Sequence, residues 1–270
     1  MPRKANFIVS VLLVPLLLSL FPTKALSLPF VSAKHAVLMD GDSGEVLWEK
    51  NADVQAPMAS TTKIITALTV MSALSEDTVV CVPKEACGTE GTSAYLKEGE
   101  LLSVKDLLYA LLLQSANDAA VALAMACDGS VDAFCARMNR LIRELGFTQT
   151  HVCNPHGLPD EDHRTTAREL AAITAYAMHL PAFAEIVCTK SYTCRTSLLR
   201  RTFVNHNKLL SMDEDAVGVK TGFTKKSGRC LVGAAKRDGA LLITVTLNAP
   251  DDWRDHRALW AYGFSLLGIT

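Results

Sequence analysis

The sequence predicts an α+β fold: a mainly antiparallel sheet flanked by helices, beside a helical lobe. Three observations carry this. Strand-like runs lie toward the two ends of the chain, helical periodicities fill the middle, and a β hairpin followed by one last helix closes it. Separate runs of strands and helices are the pattern of α+β layers.

The first stretch is read apart from the fold. Arg3 and Lys4 precede a largely apolar run from Ile8 to Phe21, and Ala25-Leu26-Ser27 supplies small residues where a signal peptidase cuts. Residues 1–27 are therefore expected to be a secretory signal peptide. The alternative is an uncleaved N-terminal anchor, although the run is short for a spanning helix of about 20 residues. Either way the remainder is expected outside the cytoplasm, in a periplasm, a cell wall or the medium, with no other stable membrane anchor evident.

His35–Met39 and Val46–Glu49 read as strands around the turn Asp40-Gly41-Asp42-Ser43-Gly44. Lys63 to Leu74 is helical, with no glycine or proline to interrupt it. Val79 to Leu102 mixes short β-like pieces with glycines and is read as irregular. Ser103 opens a helix whose apolar face is Leu107, Leu108, Leu111 and Leu112. After a polar break at Gln114–Asp118 a very apolar helix runs from Ala119 to about Cys127. Another runs from Phe134 to Leu145, with Gly146 as its stop. Asn154-Pro155-His156-Gly157-Leu158-Pro159 is dense turn chemistry. Thr165 or Thr166 can cap a helix reaching about His179. Val217–Val219, Cys230–Ala235 and Leu241–Leu247 read as strands, the last two joined by an Asp238-Gly239 turn, and a final helix spans about Asp255–Leu267.

The 270 residues are 49% hydrophobic and 20% charged, with a net charge of −1, so a sizeable core is possible and nucleic acid is not an expected partner. Eight cysteines (Cys81, Cys87, Cys127, Cys135, Cys153, Cys188, Cys194, Cys230) permit disulfides in an exported chain, or serve as small buried hydrophobes. No Cys-x-x-Cys occurs, and neither a metal site nor a cofactor is expected.

Three clusters carry chemistry. In Ser60-Thr61-Thr62-Lys63 the serine and lysine fall on one helix face, where a lysine of lowered pKa can take the serine proton. Ser115-Ala116-Asn117 interrupts two apolar helices. Lys220-Thr221-Gly222 ends a strand, where an ammonium and a hydroxyl can hold a carboxylate and glycine lets a substrate backbone come close. Taken singly, each has an ordinary explanation as a helix cap, a turn or a strand end.

In this order, however, Ser-x-x-Lys, Ser-x-Asn and Lys-Thr-Gly form the set shared by penicillin-binding proteins and serine β-lactamases. The surrounding segments, Asn154-Pro155-His156-Gly157-Leu158 and Gly218-Val219-Lys220-Thr221-Gly222-Phe223-Thr224 among them, resemble the low-molecular-mass penicillin-binding proteins, the serine-type D-alanyl-D-alanine carboxypeptidases. The resemblance runs from about His35 to Phe264. It implies a β-lactamase/transpeptidase-like catalytic domain over residues 28–270, peptidoglycan stem peptides as substrate and β-lactam antibiotics as covalent inhibitors. Many relatives carry a further C-terminal β-domain; none is expected here, since Thr270 follows closely on the last helix.

By the same resemblance Ser60 is the nucleophile, Lys63 the general base and Ser115 a proton relay to the departing amine. Asn117 is expected to hold Lys63 and the substrate amide, Lys220 to supply positive field and support Ser115, and Thr221 to bind the terminal carboxylate. Gly222 leaves room for the substrate, and the N–H groups of Ser60 and Phe223 form the oxyanion hole. Arg254, with Arg257 as competitor, is expected to assist the carboxylate. Met58 and Ala116 replace a common proline and glycine without removing a reacting group. Endopeptidase action on cross-links is the near alternative.

A class A β-lactamase also needs a deacylating glutamate, and no convincing Glu-x-x-x-Asn lies between Asn117 and Lys220, so slow penicillin release is expected. A non-catalytic wall-binding module is disfavoured by the intact clusters. Gly-x-Ser-x-Gly and His-Glu-x-x-His are both missing, which disfavours lipase-like and zinc-peptidase chemistry.

Overall fold

A computed structural model describes residues 27–269; the expected signal peptide lies almost wholly outside them. Strands β1 (His35–Asp40) and β2 (Val46–Lys50) form the first hairpin. A short 3₁₀ turn over Ala59–Thr62 leads directly into α1 (Lys63–Ala73). The stretch read as irregular contains a small two-stranded sheet, β3 (Val79–Cys81) with β4 (Leu101–Ser103). Helices α2 (Val104–Leu112), α3 (Asn117–Asp128) and α4 (Val131–Glu144) make the lobe. Helix α5 (Ala167–Met178) and α6 (Pro181–Cys188) follow. A second hairpin, β5 (Ser191–Arg195) with β6 (Arg200–Val204), and the single turn α7 (Leu209–Met212) precede the closing elements. These are β7 (Ala216–Thr224), β8 (Gly228–Arg237), β9 (Ala240–Leu247) and α8 (Asp252–Leu266).

The main sheet has the order β2-β1-β9-β8-β7 and every adjacent pair is antiparallel. One face carries Leu38, Leu231 and Leu242 against Leu259, Trp260 and Phe264 of α8. The other carries Val37, Val232, Ile243 and Val245 into the larger core shared with α1–α6. Alternation along each strand, with a period of two, supplies both faces from one sequence. The lone strand edge on the groove side belongs to β7.

Local chemistry fixes the helix ends that position the site. Ser103 accepts from Asp106 N at 3.0 Å while the Asp106 carboxylate accepts from Ser103 N at 3.2 Å, a reciprocal cap for α2. Thr166, one of the two residues expected to do so, caps α5 by accepting from Glu169 N. All eight cysteines are free. Among the described residues no single helix is long and apolar enough to cross a membrane.

Candidate active site

The groove lies where the Ala59–Thr62 turn, the break between α2 and α3, and β7 converge, and it encloses about 520 Å³. Ser60, Ser115, Thr221, Gly222 and Phe223 all line it. Residues 161 positions apart in the chain thus face one space.

The nucleophile turn is held in a sparsely populated conformation. Ala59 has φ 47° and Ser115 has φ 63°, each costing of order 1–2 kcal/mol for a residue with a Cβ. Thr61 Oγ1 and Thr62 Oγ1 donate to the carbonyls of Met58 (2.6 Å) and Ala59 (2.7 Å), which secures the turn. Two glycines clamp it from outside. A Cβ on Gly157, whose φ is +91°, would lie 2.0 Å from Ala59 O, and one on Gly222 would lie 3.0 Å from Ser60 N. Only glycine lets these backbones approach so closely.

Lys63 is fully buried, and its Nζ lies 3.0 Å from Ser60 Oγ, 2.7 Å from Asn117 Oδ1 and 2.7 Å from the carbonyl of His156. Burial, followed by repulsion from the Lys220 charge, holds its pKa well below the ordinary lysine value, with Asp118 pulling the other way. Lys220 is also buried, and loss of water lowers its pKa to about 7. Its ammonium donates to the Thr221 carbonyl at 3.0 Å; among the described residues no hydrogen bond joins it to Ser115. Asn117 reaches the other way as well, Nδ2 donating to Glu90 O at 2.6 Å and its backbone N to Thr92 O at 2.7 Å.

The structure replaces one expectation. Arg254 is exposed on α8 and does not line the groove. The buried face of α8 is Asp252, Asp255, His256, Leu259, Trp260 and Phe264, so helical periodicity turns Arg254 outward. Arg257 faces Asp213 at 3.5 Å. The groove arginine is instead Arg229, directly opposite Phe223 in the β7–β8 register. Asp252 accepts from its guanidinium, and Trp253 stacks 5.5 Å below it.

Other contributors were not foreseen. His163 accepts from Cys153 N through Nδ1 (3.1 Å), so its Nε2–H donates to Thr62 Oγ1 at 2.7 Å. Burial lowers its pKa to about 4, which keeps that tautomer neutral. Asp118 accepts from Ser93 Oγ, Ala94 N and Leu96 N, stapling the 90–96 loop beside the groove. His206 and Thr92 line the groove too. Among the described residues no cluster of metal-ligating side chains occurs.

A serine hydroxyl in contact with a buried amine, beside a second serine and a lysine-bearing edge strand, is the arrangement of a serine nucleophile with an amine base. The comparisons agree. The D-alanyl-D-alanine carboxypeptidase family, peptidase S11, matches residues 23–251, and the chain belongs to this family. It is 33% identical over 223 residues to D-alanyl-D-alanine carboxypeptidase DacF of Bacillus subtilis, covering 80% of this chain and 57% of DacF. The chain thus spans little more than half the length of that relative. DacB2 of Mycobacterium tuberculosis is 32% identical, with 91% of this chain and 87% of that protein covered. The crystal structure of the Streptomyces K15 DD-transpeptidase superposes with a TM-score of 0.84 at 33% identity, covering 88% of this chain and 99% of that one.

Proposed function

We propose that this protein removes the terminal D-alanine from peptidoglycan stem pentapeptides through an acyl-enzyme on Ser60, and that penicillins acylate the same hydroxyl. The observation that carries the reading is the buried Lys63 amine 3.0 Å from Ser60 Oγ. A neutral amine has two N–H groups and one lone pair. Asn117 Oδ1 and the His156 carbonyl take the two N–H groups, which leaves the lone pair for the serine proton.

Ser60 Oγ attacks the carbonyl carbon of the penultimate D-alanine as its proton passes to Lys63. The N–H groups of Ser60 and Phe223 receive the oxyanion. The C–N bond then breaks, Ser115 delivers a proton to the departing amine, and D-alanine leaves. Water attacks the ester, yielding the shortened peptide and free Ser60. Thr221, the Lys220 field and Arg229 hold the terminal carboxylate; Arg229 takes the role expected of Arg254. Gly222 keeps β7 open to an added peptide strand. Residues 28–270 are the catalytic unit, exported on a signal peptide of residues 1–27.

The test is release of free D-alanine from a pentapeptide muropeptide. Wild type should release it and Ser60→Ala should not; equal release by both would overturn the assignment. A cross-linked dimer in the same assay separates endopeptidase action, which would cleave the dimer faster than the pentapeptide.

A further inference from the structure

The hairpin β5–β6 has a charge balance unlike the rest of the chain. Residues 189–208 contain Lys190, Arg195, Arg200, Arg201 and Lys208 and no Asp or Glu, in a protein with 27 basic and 28 acidic residues. Its tip is Thr196-Ser197-Leu198-Leu199. The turn pairs three of its own N–H groups: Thr196 N donates to Leu199 O at 2.9 Å, and the N–H groups of Leu198 and Leu199 donate to Thr196 Oγ1 at 3.2 Å each. Both leucines stay outside, 57% and 42% exposed.

The tip is also rigidly mounted. Arg201 forms a buried bidentate pair with Glu100 (2.7 and 2.6 Å) and donates to the carbonyls of Ala94 and Tyr95. Ser197 exchanges hydrogen bonds with the backbone of Leu101. Leu101 and Tyr95, 44% and 75% exposed, therefore border the tip. Arg195, Arg200 and Lys97 are exposed around it, and Glu98 is the exposed acid on the neighbouring strip.

We propose that this tip is a docking wedge for an anionic lipid surface. A bilayer can be engaged by a few inserted apolar side chains with basic neighbours at the headgroups. A stable protein interface needs about 1,200 Å² or more, which four side chains on a projecting turn do not supply. The charge sign, and the pairing of all four N–H groups of the turn, both suit shallow insertion.

The test uses the chain from Ser27 onward, which contains every described strand and helix and lacks the apolar run of residues 8–21. Vesicles of equal parts phosphatidylglycerol and phosphatidylcholine should sediment the wild type, and pure phosphatidylcholine should not. Leu198→Asp/Leu199→Asp should lower partitioning at least roughly tenfold. Arg195→Gln/Arg200→Gln should lower it roughly twenty-five-fold, about fivefold for each arginine near an anionic surface. Both changes are on exposed side chains, and thermal unfolding confirms that each variant is folded. Failure of the wild type to bind anionic vesicles, or wild-type binding by both variants, would overturn the proposal. So would Leu198-dependent self-association without lipid, which would make a second copy the occupant.

Discussion

Asn117→Ala tests how the base is held. The amide joins the buried Lys63, accepting from its Nζ at 2.7 Å, to the exposed Glu90, donating to its carbonyl at 2.6 Å. Truncation leaves a lysine N–H and a carbonyl without these contacts. Water can reach the Glu90 carbonyl, so one buried group is orphaned, at a cost to the fold of about 1–3 kcal/mol. At about 2–4 °C per kcal/mol for a chain of this size, Tm should fall by roughly 2–12 °C. Lys63 keeps the His156 carbonyl but is free to swing away from Ser60. A rise of about 1.4–2.8 kcal/mol in the acylation barrier corresponds to about 10–100-fold slower labelling. The assay is the second-order rate of labelling by a fluorescent penicillin, measured below the Tm of the variant. Asn117→Asp keeps the acceptor and adds a charge that stabilises the Lys63 ammonium, so its acid limb should move to higher pH. Wild-type labelling and Tm in Asn117→Ala would refute the bracket argument.

Three further outcomes follow from the same geometry. Gly157→Ala drives a Cβ to 2.0 Å from Ala59 O at a φ of +91°, so labelling by penicillin should fall at least roughly tenfold and Tm should drop. Arg229→Gln should raise KM for pentapeptide roughly tenfold with little change in kcat, whereas Arg254→Gln should change neither; the reverse pattern would restore Arg254. As pH rises through about 7, Lys220 loses its charge, so KM should climb on the alkaline side, while burial and the Lys220 charge, which lower the Lys63 pKa, should place the acid limb of kcat below that of an ordinary lysine base. The sign for stability follows from the lowered folded-state pKa. From about 10 down to about 7 the unfolded lysine gains a proton that the buried one does not. Lys220 therefore subtracts stability at neutral pH, roughly 4 kcal/mol at most, and Lys220→Met should raise Tm at pH 7 while lowering acylation.

The candidate clusters were legible because each is local: four residues across one turn, three at a helix break and three in one strand, although β7 runs on through Lys220–Gly222 to Thr224 where a strand end was expected. The strands β1, β2, β8 and β9 were legible through apolar runs bounded by turn residues. Hairpin β5–β6 was not, because its buried residues, Cys194, Arg201 and Phe203, give no regular apolar pattern. Its inward arginine is satisfied by Glu100, a partner 101 residues away. Arg229 was missed for a related reason: its place is set by cross-strand register, not by nearness to Lys220 in sequence. The turn between β7 and β8 could have supplied that register, since it puts residue 229 opposite 223. The His156 carbonyl acts through its backbone, which residue identity does not reveal.

The central claim, that Ser60 is the hydroxyl Lys63 deprotonates, is tested most directly by mass spectrometry of the benzylpenicillin adduct after proteolysis. One added penicilloyl group on the peptide containing Ser60 is predicted for the wild type, with none in Ser60→Ala and far slower formation in Lys63→Met. An adduct on another residue, or equal modification of Ser60→Ala, would contradict it.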